Sequence, residues 1–119
     1  MKVVVELLKN EVLWSMVMSF VVAQAVKGLL KLDVKEAFRY GGMPSGHAAL
    51  VVGMSISIGL VKGFSSPIFA LAVGFSMIIL SDAVRLRPRV DEEMGHTWSE
   101  IIVGGLIGLG VAIFIHLLL

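Results

Sequence analysis

Four long apolar stretches occupy most of this 119-residue chain and constrain its fold more than any other feature. They run from about Val12 to Leu30, His47 to Val61, Pro67 to Val84 and Thr97 to Leu119. Hydrophobic residues make up 57% of the chain and the mean hydropathy is +0.94. Both values are high for a water-soluble domain, and the few charged residues cluster instead of spreading over a surface. A bilayer is the solvent this pattern fits. In lipid every backbone N–H and C=O must be bonded within the protein, so the stretches are read as helices. The expected fold is all-α: one domain over residues 1–119, an integral-membrane bundle of about four transmembrane helices. The second stretch is shorter than the roughly 20 residues a perpendicular span needs. It crosses if neighbouring helices cover its ends; otherwise it is a buried or re-entrant helix.

The composition excludes some chemistries. The chain has no cysteine, hence no disulfide framework, no thiolate nucleophile and no cysteine-based zinc site. A net charge of +1 gives no sign of a nucleic-acid partner. Residues 1–9 mix Lys2, Glu6 and Lys9 with aliphatics. They read as an amphipathic lead-in; the apolar run that follows is too long for a cleavable signal and lacks a small-residue cleavage site.

Three polar connections separate the stretches. The first, Lys31 to Gly46, carries Lys31, Asp33, Lys35, Glu36 and Arg39; the third, Arg85 to His96, carries Arg85, Arg87, Arg89, Asp91, Glu92 and Glu93. Between them, Lys62 to Ser66 is a tight turn leading into Pro67, a helix stop and start. With four spans, the first and third connections share one side of the membrane. The positive-inside rule puts that side in the cytoplasm, but arginines kept for chemistry enter the same count. Small residues set the packing: Gly53, Ser57, Gly59, Gly105, Gly110 and the pair Gly104 and Gly108 allow close helix approach. With so little core per chain, a homodimer through glycine faces is expected.

Several ionisable residues sit where the apolar stretches begin or end. Gln24 and Lys27 are three apart and share a helix face. Lys27 either snorkels to the interface or points a cation at an anionic group in the protein interior. Asp82 closes the third stretch and can pair with Arg85 at i, i+3.

The motif Gly41-Gly42-Met43-Pro44-Ser45-Gly46-His47 leads into the second stretch. Ser45 is placed to cap the helix. A helix start offers backbone N–H groups and a positive dipole end to an anion, and His47 stands beside that point with a proton to give. Gly95-His96-Thr97-Trp98-Ser99-Glu100 leads into the fourth stretch. His96 and Glu100, four apart, lie on one helix face. A carboxylate there can hold the Nδ1 proton and leave Nε2 as a nucleophile. An apolar span also makes an unpaired carboxylate costly, and His96 is its candidate partner. His116, among leucines near the C-terminus, reads as an interfacial anchor.

These motifs, in this order, resemble the type 2 phosphatidic acid phosphatase superfamily, which includes the vanadium haloperoxidases. Gln24-Ala25-Val26-Lys27, the Pro44–His47 element, Ser81-Asp82-Ala83-Val84-Arg85 and His96-Thr97 through Glu100 to Gly104 resemble its divergent, short integral-membrane branch. The resemblance implies a lipid phosphatase. It makes His96 the nucleophile that takes the phosphoryl group, Glu100 its orienting acid where the family usually has aspartate, and His47 the general acid for the leaving alkoxide. It makes Lys27, Arg39 and Arg85 the cations on the phosphate oxygens, with Arg87 and Arg89 as rivals for the last role. It gives Ser45 and Gly46 the hydroxyl and amide donors, with Asp82 in support. Such a site works by positioning and by stabilising charge on the equatorial oxygens, and calls on no metal and no cofactor. The expected partners are a lipid phosphate substrate and the cell membrane, crossed several times, with no nucleic acid.

The chain departs from the pattern in two places. Arg39 lacks the proline that normally follows, and the spacing from Arg85 to His96 is longer than in the family. Two other readings remain open at this level. One is a non-catalytic membrane protein that binds phosphorylated lipid or scaffolds a partner. The other is a metal site built from His47, His96, Asp82 and Glu100, residues of suitable ligand type.

Overall fold

The computed structural model describes residues 1–31, 44–83 and 98–119. Among these residues the structure is helical, with five helices: α1 (Lys2–Leu8), α2 (Glu11–Lys31), α3 (Gly46–Lys62), α4 (Pro67–Ser81) and α5 (Trp98–Leu118).

Local chemistry accounts for the boundaries. Asn10 separates the lead-in α1 from α2, and its Oδ1 accepts from Leu13 N–H at 3.0 Å, an N-cap bond. Trp14 Nε1 donates to the Leu8 carbonyl at 2.7 Å and ties the lead-in to the helix after it. Ser45 caps α3 as expected: its Oγ accepts from Ala48 N–H at 3.1 Å. Gly63 ends α3 with φ 98°, a conformation that residues with a Cβ rarely adopt. The chain then turns at once into α4, where Ser66 Oγ accepts from Phe69 N–H at 3.3 Å and Pro67 fills the first helical position. Beyond Ser81 the helix loosens into a wider turn at Asp82 and Ala83; the Val84 limit read from the sequence lies outside the described residues.

At 1.5 Å per residue, the 21 residues of α2 and of α5 each reach about 31 Å, enough to cross a hydrocarbon core. Helices α3 and α4, with 17 and 15 residues, are shorter. Helix α3 is the centre of the bundle: it packs against α2, α4 and α5, and α2 also touches α5.

The distribution of side chains is the reverse of a soluble domain. Most buried positions are small, Ala23, Ala48, Ala49, Ala72 and Ala112 with Ser15, Ser19, Ser55, Ser57 and Ser76; Val51, Ile101, Ile115 and Lys27 are among the larger ones. The large apolar residues Leu71, Ile78, Leu106, Phe114 and Leu117 face outward. Lipid is as apolar as leucine, so large side chains gain little by turning inward; small ones let backbones approach.

The glycines show how close that approach is. A Cβ on Gly104 would overlap the Ser45 carbonyl, and one on Gly108 would overlap the Ala49 carbonyl. A Cβ on Gly53 would overlap Ser19. Gly104 and Gly108 are therefore spent joining α5 to α3 within one chain, and that face is not open to a second copy. Among the described residues, a Cβ on Gly74 or Gly110 would meet no packing neighbour within 4 Å.

Candidate active site

Three helix ends meet at one end of the bundle. The backbone N–H of Ser45 donates to the carbonyl of Glu100 at 3.1 Å, so the first turns of α3 and α5 are directly joined. The end of α2 closes on the same point: Gln24 Oε1 lies 2.6 Å from where a Cβ on Gly46 would stand, and Phe20 Cε2 lies 3.1 Å from it. The Phe20 ring also meets the His47 imidazole edge-on, with centroids 6.5 Å apart and an interplanar angle of 77°. Helix α4 runs antiparallel to α3, with Ser55 and Ser76 hydroxyls 3.0 Å apart, and returns Asp82 toward this end.

Lys27 is 1% exposed. That decides between the two readings of this residue: it does not snorkel. An ammonium buried in an apolar helix is costly unless it has partners, and Lys27, like Gln24, His47, Asp82 and Glu100, is not without one. It shares a face with Gln24, three residues before it, and so lies at the same end as Ser45, Gly46 and His47. Ser45 and Gly46 are buried; His47, Glu100 and Asp82 are half-buried.

Of the residues singled out in the sequence, the structure thus gathers Lys27, Ser45, Gly46, His47 and Glu100, with Asp82 on the flanking helix. Arg39, Arg85, Arg87, Arg89 and His96 lie outside the described residues. Among the described residues no three histidine or carboxylate side chains cluster as a metal site would; the set considered above includes His96.

Ser45 has less to offer a ligand than its place in the motif implies. Its N–H is committed to Glu100, its carbonyl accepts from Ala49 N–H at 3.1 Å, and its Oγ accepts the capping bond from Ala48. Only the hydroxyl proton of Ser45 is left to donate to an anion.

Sequence reading gave Gln24 no site role and did not single out Phe20. The signal was present: Phe20, Gln24 and Lys27 follow i, i+4, i+7 and so form one helix face. It also did not foresee the partner of His116. Its Nδ1 stands 2.5 Å from Glu11 Oε2, joining the last turn of α5 to the first of α2 at the opposite end of the bundle. The two residues are 105 apart in sequence and nothing local links them. An apolar groove between α2 and α5, lined by Trp14, Met18, Val22, Phe114 and Leu118, presents no polar group and lies away from the gathered residues. Its chemistry suits hydrocarbon, not catalysis.

A family model described as the Divergent PAP2 family matches residues 8–93, well over half of the chain. The chain belongs to the Divergent PAP2 family. The matched span includes Lys27, Arg39, Ser45 to His47, Asp82, Arg85 and Arg87; His96 and Glu100 lie beyond it. Among curated proteins the chain is similar to the uncharacterized membrane protein YuiD of Bacillus subtilis (strain 168), at 34% identity over 94 residues. The similarity covers 74% of this chain and 60% of that protein, so the chain matches about three fifths of the relative's length. No solved structure matches it. Divergent PAP2 membership and a membrane-protein relative agree with the inverted packing: this is a helical membrane protein of a phosphatase-related family.

Proposed function

We propose that this Divergent PAP2 protein is a lipid phosphatase of the cell membrane, crossing it four times and acting on a lipid phosphomonoester or diphosphate. The observation that carries this reading is Lys27: a buried ammonium inside an apolar helix, at the bundle end where Ser45, Gly46 and His47 start α3. A helix N-terminus and a buried cation together favour an anion, and a phosphate group is one that suits both.

In the proposed reaction His96 Nε2 attacks the phosphorus while the bond to the lipid oxygen breaks. His47 gives its proton to the departing oxygen. Water, deprotonated by the now neutral His47, then attacks the phosphohistidine, the P–N bond breaks, and inorganic phosphate leaves. Glu100 orients His96. Lys27 and the arginines Arg39 and Arg85 or Arg87 hold the equatorial oxygens, where charge is greatest in the transition state. Amino-acid side chains alone carry every step. The reading includes a homodimer, with a contact surface other than the Gly104 and Gly108 face, which is spent on α3.

The test is phosphate release by purified protein from vesicles carrying phosphatidic acid, phosphatidylglycerol phosphate or a polyprenyl diphosphate. Release from at least one of these, abolished by His96→Ala and by His47→Ala, is the expected result. Release that persists in His96→Ala removes the nucleophile. No release from any of them leaves a phospholipid-binding protein without catalysis as the better account.

A further inference from the structure

Gly46 is the first residue of α3, and nothing in its backbone requires glycine, since it carries no positive φ. What requires it is Gln24. A side chain at residue 46 would run into Gln24 Oε1 at 2.6 Å, Gln24 Cδ at 3.3 Å and Phe20 Cε2 at 3.1 Å. Phe20 meets His47 as well. Two side chains of one α2 face therefore clasp the Gly46–His47 turn, and the third residue of that face is Lys27.

We propose that Gln24 and Phe20 are positioning residues of the site: Gln24 sets the α3 start against Lys27, and Phe20 fixes the plane of the His47 ring. This rests on the phosphatase reading for its catalytic consequence, though not for its geometry. The chemistry of the amide fits the place. Its oxygen lies at the positive end of α3, where an acceptor is favoured. A carboxylate would be favoured more, but it would cancel the charge of Lys27 and repel a phosphate. A neutral acceptor holds the helix and leaves the field positive. Phe20 adds no charge at all and restricts the imidazole by shape, with an edge-on geometry that aromatic pairs prefer.

The experiment uses the full chain in detergent micelles and has two arms. In the first, phosphate release is measured for the native protein, Gln24→Ala, Gly46→Ala and the double variant. Both single variants lower kcat on the order of tenfold to a hundredfold, the scale of a small misplacement of reacting groups, with KM changed less. Gly46→Ala also lowers the melting temperature. The double variant makes room for the new methyl and regains that melting temperature, yet not the lost kcat. Full recovery of kcat in the double variant overturns the proposal, because Gln24 is then only filler. In the second arm, the imidazole C–H signals are followed by NMR across pH. The chain has three histidines, so the His47 signal is assigned by its loss in His47→Gln. Gln24→Ala and Phe20→Leu shift the His47 signal and its titration and leave the His116 signal in place. A His47 signal unmoved in both variants overturns the proposal even if the protein is active. If the native protein releases no phosphate, the phosphatase reading fails, and this second arm alone decides the positioning claim.

Discussion

The backbone N–H of Ser45 donates to the carbonyl oxygen of Glu100 across 3.1 Å, a bond between two helix starts separated by more than fifty residues of sequence. It fixes the relative height of α3 and α5, and so places the Pro44–His47 turn beside the first turn of α5. It also makes the site sensitive to the contact just behind it, where Gly104 lies against the Ser45 carbonyl.

Replacement of Gly104 by alanine is therefore expected to be destabilising. The obstructing atoms are backbone, which cannot rotate aside as a side chain can. Overpacking of this kind costs about 1–3 kcal/mol. Gly110→Ala is the control: it faces open space, and alanine in place of helical glycine stabilises by up to about 1 kcal/mol. Thermal unfolding in micelles should separate the two by sign. Equal melting temperatures for both variants would show that α5 does not lie against α3 as described.

Lys27→Met is expected to abolish most phosphate release while leaving a folded bundle. Methionine has a similar length and no charge to desolvate, so the loss reads the charge itself. Removing a group that stabilises transition-state charge costs about 10²–10³ in kcat. Lys27→Arg restores only part, since a planar guanidinium does not replace a compact ammonium in a fully buried place. Native rates in Lys27→Met would mean that this buried cation serves structure alone.

Ser57→Ala is expected to stabilise. Among the described residues the fully buried Ser57 hydroxyl has no hydrogen-bond partner, and neither do those of Ser15 and Ser19. A buried hydroxyl without a partner carries a desolvation cost of about 1–3 kcal/mol, part of which alanine recovers. A lower melting temperature for Ser57→Ala would reveal a partner for that hydroxyl.

The Glu11–His116 contact is expected to matter for stability and not for catalysis, because it lies at the far end of the bundle from Lys27 and His47. His116 is 39% exposed and solvent screens the pair, so a double-mutant cycle with Glu11→Gln and His116→Gln should give a coupling of only about 0.5–1 kcal/mol. Phosphate release should be unchanged in either single variant. A large loss of turnover would show that the two ends of the bundle are mechanically coupled.

The sequence by itself determined the solvent, the helices and most of their ends. Apolar runs in a small chain leave lipid as the medium, lipid leaves helices as the spans, and the caps at Asn10, Ser45 and Ser66 are bonds between neighbours in sequence. The motifs also named Ser45, Gly46, His47 and Glu100, whose meeting the tertiary structure supports through the Ser45–Glu100 bond. What the sequence left open were choices between contacts of similar local appearance. A Gly104 and Gly108 pair serves a dimer or a neighbouring helix equally well; a lysine near a helix end can reach water or turn inward; a histidine among leucines can anchor or pair. Each choice depends on which distant segment stands opposite, and no periodicity along one helix records its neighbour. The tertiary structure decided them by setting α3 in the centre, which spends the glycines inside the chain, and by burying Lys27 and bringing Glu11 to His116.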